Sequence, residues 1–375
     1  MTGRGCDDYR IYDGAGADSE PSEGFHAFVR HKRLLLLAMA AVFAAIALIF
    51  LCVGTKRITL TEILEIIFTF DNRSSSGNII WNMRLLDLAS AVIIGCGLSV
   101  CGVVMQCVLK NPLASPYTLG ISNAAAFGAA FSIVVVGTGS MATAGISIDN
   151  PYATTVCAFA FSMIATAVIL VLTKVTRVSA ETMVLAGIAI SAIFSAALSF
   201  LQYVSTDTQL ANIVSWMFGD LRKASWEHDL IIFAVLAPVT MYFLYKRWDY
   251  NAMDAGDETA KGLGVNVEAE RLVGLVLTSL LCSVIVSFFG VIAFVGLLGP
   301  HIARMLIGGD HRYLVPAAML IGAVILALAE LVGANMFVSE SYTGAIVHQV
   351  IPVGIITSML GGPLFVYLLV RRYRA

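Results

Sequence analysis

Gly187, Ser191, Ser195 and Ser199 recur at strict intervals of four, and Gln202 follows on the same side. In a helix that spacing puts three hydroxyls and an amide on one face. Two chemistries are open to such a face. The hydroxyls can bond back to their own backbone carbonyls, or they can line a wet path. Glu330 is a second polar group set in an apolar run, on a face with Ala323, Ala327 and Ala334. An ionisable residue in such a run is a candidate functional group; the other reading puts it near the outer end, reaching water or a buried partner. Cys6, Cys52, Cys96, Cys101, Cys107, Cys157 and Cys282 contain no CxxC pair and nearly all lie in apolar runs. They read as small packing residues, with no metal site and no disulfide framework expected. The sequence holds no GxxxxGK[ST] phosphate loop, no HExxH and no GxSxG, and its 6 histidines are scattered. No catalytic residue and no cofactor is expected, and ATP hydrolysis has no machinery here.

The elements that must carry these residues follow from composition. Of 375 residues, 58% are hydrophobic and only 13% charged, with a formal net charge of −2. That leaves too little polar surface to cover a water-soluble globule. A cytosolic enzyme, a nucleic-acid binder and a disordered chain are excluded on that ground. Residues 1–33 are polar and acidic and read as a disordered cytoplasmic tail, ahead of a membrane domain over 34–374. Leu34–Cys52 is long enough to cross a bilayer and follows Arg30, His31, Lys32 and Arg33, so it reads as an uncleaved first span. Further apolar segments fall at about 85–108, 117–137, 152–173, 182–204, 229–246, 272–289, 291–307, 314–335 and 352–370. The predicted fold class is therefore all-α, a polytopic membrane protein of about ten transmembrane helices. The eighth segment contains Gly299-Pro300 and is expected to be broken, which lipid tolerates only where protein or a water-filled cavity covers the backbone.

An even number of spans puts both termini on one side. Of the 23 lysines and arginines only Lys56, Arg57, Arg73, Arg84, Arg222 and Lys223 fall on the proposed outer side. The remainder fall inside, as the positive-inside rule requires. Ile58–Phe70 has apolar residues at helical spacing and predicts a short amphipathic helix on the outer surface. Residues 250–270 form the longest inner connection, polar and broken by Gly256, Gly262 and Gly264, a candidate dock for a soluble partner. Three small-residue stripes, Gly120/Ala124/Gly128, Gly95/Ser99/Gly102 and Gly354/Ser358/Gly361, suit close helix packing.

Several longer strings carry a resemblance. Gln106–Pro116 reads Gln-Cys-Val-Leu-Lys-Asn-Pro-Leu-Ala-Ser-Pro and runs on to Leu119-Gly120-Ile121. Val-Leu-Ala-Gly-Ile-Ala-Ile-Ser-Ala occupies 184–192, and Trp216-Met217-Phe218-Gly219 follows. Then come Gly256-Asp257-Glu258-Thr259-Ala260-Lys261-Gly262-Leu263-Gly264-Val265 and Phe294-Val295-Gly296-Leu297-Leu298-Gly299-Pro300-His301-Ile302-Ala303-Arg304. Ile351-Pro352-Val353-Gly354-Ile355 and Gly362-Pro363 close the series. In that order, over roughly residues 35–374, the chain resembles the FecCD-type permease family, membrane subunits of ABC importers for ferric siderophores, haem and vitamin B12. The resemblance marks Gln106, Asn111, Pro112, Pro300, His301, Arg304, Pro352 and Gly354 as family-motif positions. It implies a homodimer of ten-helix subunits with a path along the dimer axis, two ATPase subunits inside and a substrate-binding protein outside. It implies that Gly256, Asp257, Glu258, Thr259, Ala260, Gly262, Leu263 and Gly264 form a helix coupled to the ATPase. It also implies that the helix bearing Gly187, Ser191, Ser195, Ser199 and Gln202 lines the path.

The chain departs from the pattern at its outer end. Members resembling it often read Arg-Leu-Pro-Arg where this chain has Arg84-Leu85-Leu86-Asp87, and an arginine common after the ninth span's acid is Ala334 here. Glu330 stands where relatives usually have Asp, and Val350 where they often have Glu. Docking to a binding protein is accordingly assigned to Arg84 with Arg222 and Lys223 in compensation. An ion-coupled secondary transporter using Glu330 or Asp87 is the competing reading. An intramembrane enzyme has no nucleophile–base pair to support it.

Overall fold

The computed structural model describes residues 21–374 apart from positions 55, 57, 72, 143–144, 149, 177–178, 336–337, 341–345 and 349. Residues 1–20 of the expected tail lie outside the described residues. The first helix, α1 (Pro21–Cys52), already includes the polar residues 21–33, so the helix begins well before the apolar run. It is followed by α2 (Leu60–Thr69) and α3 (Ser75–Ile79), which leads through a wider helical turn into α4 (Leu85–Val108). Then come α5 (Ile121–Phe131), α6 (Pro151–Thr176), α7 (Ala180–Val204), α8 (Asp207–Met217) and α9 (Trp226–Tyr245). The chain continues through α10 (Arg247–Asp254), α11 (Asp257–Gly262), α12 (Val267–Phe289), α13 (Val295–Ile307), α14 (His311–Asn335) and α15 (Val353–Arg374). Two short antiparallel hairpins, β1 (Gly139–Ala142) with β2 (Gly145–Ile148) and β3 (Val338–Glu340) with β4 (Ile346–His348), sit in connections between helices. The long 335–350 connection thus carries a hairpin.

Among the described residues, 7 helices are long and apolar enough to cross a membrane, and three shorter apolar helices at 121–136, 295–307 and 353–367 complete the set. Each matches one of the ten segments expected from hydropathy. The amphipathic helix is α2, begun by Thr59, whose hydroxyl accepts from the Glu62 N–H. It buries Ile63 and Ile66 and leaves Phe68 exposed.

The bundle is organised around α4, which is buried on nearly all sides and packs against α14, α12, α13 and α9. Its stripe of small residues is the reason. A Cβ on Gly95 would lie 2.5 Å from the Gly322 carbonyl oxygen, and one on Gly322 would strike Gly95 and Ser99. Backbones that approach this closely gain dispersion contacts that larger side chains would forbid. The third member, Gly102, meets α13. Pro300 lies inside that helix and has no N–H to give to the carbonyl four residues back, Gly296. That freed carbonyl presses onto Gly102, where any Cβ would collide with it.

The eighth segment differs from expectation in where it breaks. The helix runs through Gly299-Pro300, and the interruption lies earlier, at Gly290 (φ 81) and Phe294 (φ 66). Between them the chain is extended and knitted to two other loops. Gly219 N–H donates to Val291 O at 3.2 Å, Asp220 N–H to Phe289 O at 3.0 Å, and Gly354 N–H to Gly219 O at 2.8 Å. Irregular backbone in an apolar bundle must satisfy its polar groups internally. Here the backbone at the end of Trp-Met-Phe-Gly, the Phe289–Val291 stretch and Pro-Val-Gly do so for one another. A Cβ on Gly354 would sit 2.6 Å from Val291 O and 2.8 Å from Gly219 N, which explains the glycine.

Candidate functional site

The connection 246–266 folds into two short helices at one end of the bundle. α10 turns into α11 at Gly256, whose φ of 127 suits glycine alone, and Gly264 (φ 86) ends the excursion. Ala260 is fully buried beneath α11, while Leu263 is 70% exposed at its end. The helix is anchored by charge. Asp257 accepts from Arg271 Nη2 at 2.8 Å and lies 2.6 Å from Lys110 Nζ. Arg271 also donates from Nε to Val108 O at 3.1 Å, so one guanidinium ties the last turn of α4, the first turns of α12 and the start of α11 together. Burial pushes the Asp257 carboxyl up, but the hydrogen bonds from Lys110 and Arg271 outweigh it and hold the group below the usual carboxylate range. Glu258 and Lys261 face outward and, among the described residues, pair with each other at 3.0 Å. Thr259 Oγ1 lies 3.7 Å from where a Gly256 Cβ would be, and a Cβ on Gly262 would meet nothing. Asp257 is therefore an internal anchor, and the outward surface of α11 is Glu258, Lys261, Gly262 and Leu263.

A second junction lies beside the first. His311 opens α14 and its Nε2 is 2.9 Å from Asp254 Oδ2, at the end of α10; Arg304 Nη1 of α13 is 3.5 Å from the same oxygen. Burial raises the Asp254 carboxyl, and the His311 hydrogen bond and charge with Arg304 outweigh it, leaving the group low. The Cys107 thiol, in the last turn of α4, donates to Tyr250 O at 3.6 Å and stands close by. Sequence reasoning found no ligand spacing because Cys107, Asp254 and His311 are far apart in the chain; only the packing of α4, α10 and α14 unites them.

The polar stripe on α7 divides in two. Gly187 is buried against Leu119, whose Cα would lie 2.8 Å from its Cβ, and Ser191 Oγ accepts from Asn123 Nδ2 at 2.6 Å. These two sit in a packing seam between α7 and the turn that leads into α5. Ser195 and Ser199 are exposed, with the Ser199 hydroxyl bonded back to Ser195 O at 3.0 Å. Gln202 is half-buried and reaches Met217 Sδ at 3.7 Å. Next to it α8, opened by a reciprocal Thr206–Gln209 cap, borders an open recess of about 510 Å³ lined by Asp207, Leu210, Ala211, Val214, Ser215 and Phe218.

At the opposite end from α11, the three cations assigned to docking behave differently. Arg84 is buried and donates to Leu51 O at 2.5 Å and to Lys56 O, holding the turn after α1. Among the described residues it makes no ion pair with Asp87. Lys223 is half-buried and donates to Trp216 O at 3.4 Å. Arg222 remains exposed, bonded to Asp220 at 2.8 Å. Glu330 is 97% buried on α14, and Asp229 accepts from Ser90 Oγ at 2.9 Å. The remaining motif positions lie along α4, α13 and the loops beside them. Asn111 Oδ1 caps the Leu113 N–H at 2.9 Å beside Pro112, Gln106 O accepts from Asn111 N–H at 3.1 Å, and His301 and Arg304 lie on the last turns of α13. Pro352 precedes the Gly354 contact.

With this geometry in hand, comparison with known proteins is specific. The model of the FecCD transport family matches residues 38–371. A protein of Methanocaldococcus jannaschii, provisionally named an ABC transporter permease, is 45% identical over 91% of this chain and 93% of its own. The hemin transport system permease protein HmuU of Yersinia pestis is 34% identical over 88% of this chain and 95% of its own. Among solved structures, the inward-facing conformation of an ABC transporter provisionally classed as metal-chelate type superposes with a TM-score of 0.73 at 27% identity, covering 90% of this chain and 99% of that one. The ten apolar helices, the knitted loops and the α10–α11 excursion are thus those of a multi-pass membrane subunit, and the chain belongs to the FecCD transport family.

Proposed function

We propose that the chain is the transmembrane permease of an ATP-driven importer that moves an iron chelate, a ferric siderophore or a related haem or cobalamin, received from an external binding protein. The observation that carries this reading is the α10–α11 excursion: an exposed surface of Glu258, Lys261 and the apolar Leu263, pinned from behind through Asp257 to Lys110 after α4 and to Arg271 of α12. A chain with such a rigidly held exposed helix and no phosphate loop suits an ATPase supplied by a partner. In this reading two ATPase subunits dock there, both termini are cytoplasmic, and the chain has no ATPase site of its own. Two copies form a homodimer in the membrane, with Ser195, Ser199 and Gln202 on the path and Gly187 and Ser191 supporting its wall. The binding protein docks at the far end around Arg222, with Lys223 behind it and Arg84 acting only to hold the α1–α2 turn. The relatives named above support the cargo class, since one carries hemin in its name and another is classed as metal-chelate type.

The test is stimulation of ATP hydrolysis. The permease purified with its ATPase and binding protein, in lipid discs, should hydrolyse ATP faster when a ferric siderophore, hemin or cobalamin is added. A complex that responds to none of them, and to a simple oxyanion instead, removes the chelate assignment. The buried Glu330 motivates the other reading, an ion-coupled carrier. It predicts uptake driven by an ion gradient without any ATPase.

A further inference from the structure

Cys107, Asp254 and His311 each bring one ligand atom to a common point, all within 4.8 Å of one another. We propose that this cluster binds a divalent transition-metal ion, zinc or ferrous iron, and that the bound ion locks α10 to α4 and α14. Thiolate, imidazole and carboxylate together select ions of intermediate softness over calcium or magnesium. Three protein ligands leave a fourth position for water.

The surroundings suit this chemistry. His311 is fully buried, and Cys107 nearly so, while the Asp254 side chain is 30% exposed and gives an ion its way in. The imidazole is already aimed. The His311 backbone N–H donates to Asn251 Oδ1 at 2.8 Å, and Nε2 points at Asp254. Among the described residues its Nδ1 has no hydrogen-bond partner, and the ring packs against that of Tyr250 with centroids 5.7 Å apart. An ion pair between α10 and α14 would need only Asp254 and His311; the Cys107 sulfur in the same space adds the ligand that a metal ion requires. Without the ion, Asp254 is shared between His311 and the longer contact to Arg304 at 3.5 Å. On binding, the Cys107 thiol gives its proton to solvent, His311 gives up the Nε2–H hydrogen bond to Asp254 and carries its ring proton on Nδ1 instead, Asp254 exchanges the Arg304 contact for the ion, and Arg304 turns to water.

The site joins three helices directly behind the coupling excursion. An ion there resists movement of α10 against the bundle, so metal accumulating on that side slows the importer that brought it. This consequence rests on the coupling reading above; the site itself does not.

The test therefore has two arms. The full-length chain, purified in detergent in a Cys6→Ser background to remove the thiol of the N-terminal tail, is titrated with Cd²⁺ and Zn²⁺. The expected result is one ion bound per chain with a cadmium–thiolate charge-transfer band. In the near-isosteric Cys107→Ser variant the band disappears and Zn²⁺ affinity falls at least tenfold. Absence of the band, or an unchanged band in Cys107→Ser, overturns the site. In the complex with its ATPase, Zn²⁺ should lower ATP hydrolysis severalfold in the Cys6→Ser protein and leave the Cys107→Ser protein unaffected. Binding without inhibition overturns the locking role, and a chain that binds the ion but never activates an ATPase leaves the site standing while the permease reading falls.

Discussion

Asp257 Oδ2 lies 2.8 Å from Arg271 Nη2, across the turn that separates α11 from α12. Arg271 is almost fully buried, so its charge depends on Asp257 and on the Val108 carbonyl for compensation. Removing one partner of such a pair leaves the other desolvated, at about 1.5–3 kcal/mol for a charged hydrogen bond. Asp257→Asn should loosen α11, lower coupled uptake about tenfold or more, and leave membrane insertion intact. Glu258→Lys acts differently, since the exposed Glu258 pairs with Lys261 alone among the described residues, and should weaken ATPase association without lowering the melting temperature of the isolated chain. Uptake, ATPase activity and thermal unfolding of the two variants separate anchor from surface; identical profiles would contradict the division.

The same anchor sets a pH dependence. The Asp257 carboxyl is low in the folded chain, so its contribution to stability is present at neutral pH and lost only as pH falls through that lowered value. The melting-temperature difference between the native chain and Asp257→Asn should hold constant from pH 8 to about pH 5 and shrink only in stronger acid, below the ordinary carboxylate range of about 4. A difference that vanishes by pH 6 would mean that the anchor is not ionic.

Gly102 and Gly354 test the knitted bundle. A Cβ at either position meets a backbone carbonyl that has no flexible end to yield. Gly102→Ala and Gly354→Ala should each destabilise the chain by about 1–3 kcal/mol or more, seen as lower folded yield and a lower melting temperature in detergent. Gly262→Ala, which meets nothing within the chain, is the control and should leave the isolated chain unchanged.

The divided stripe on α7 gives a third contrast. Cysteines at Ser195 and Ser199 should react with water-soluble thiol reagents in at least one nucleotide state of the complex, and cysteines at Gly187 and Ser191 in none. Ser195→Trp should abolish uptake while the chain still folds. Equal reactivity at all four positions would undo the seam assigned to Gly187 and Ser191.

The ten helices were legible in the sequence because lipid enforces long apolar runs and the backbone must be satisfied within each one. The α10–α11 excursion was legible as a polar, glycine-broken stretch; that it buries Ala260 and exposes Leu263 came only with the structure. What pairing did there was not legible. Nothing in the sequence separates Asp257 from its neighbour Glu258, because the partners Lys110 and Arg271 reach Asp257 only through the packing of α4, α11 and α12. The bonds of Arg84 were not legible either: within the chain it donates to carbonyls left free where α1 ends and turns. The break in the eighth segment moved for a local reason, because proline is tolerated where a neighbouring glycine backbone covers the freed carbonyl. The Cys107, Asp254 and His311 cluster left no signal in the sequence, since no spacing rule links residues on three helices.

The central claim is that transport through this chain is driven by ATP hydrolysed on a partner docked at α10–α11. Uptake of a labelled ferric siderophore or hemin into sealed proteoliposomes measures it directly, with the chain, its ATPase and its binding protein present. The account predicts uptake that requires ATP inside the docked ATPase's compartment, stops with an inactive ATPase, and ignores collapse of the ion gradients. Uptake that persists without the ATPase and disappears when a proton or sodium gradient is dissipated would contradict it.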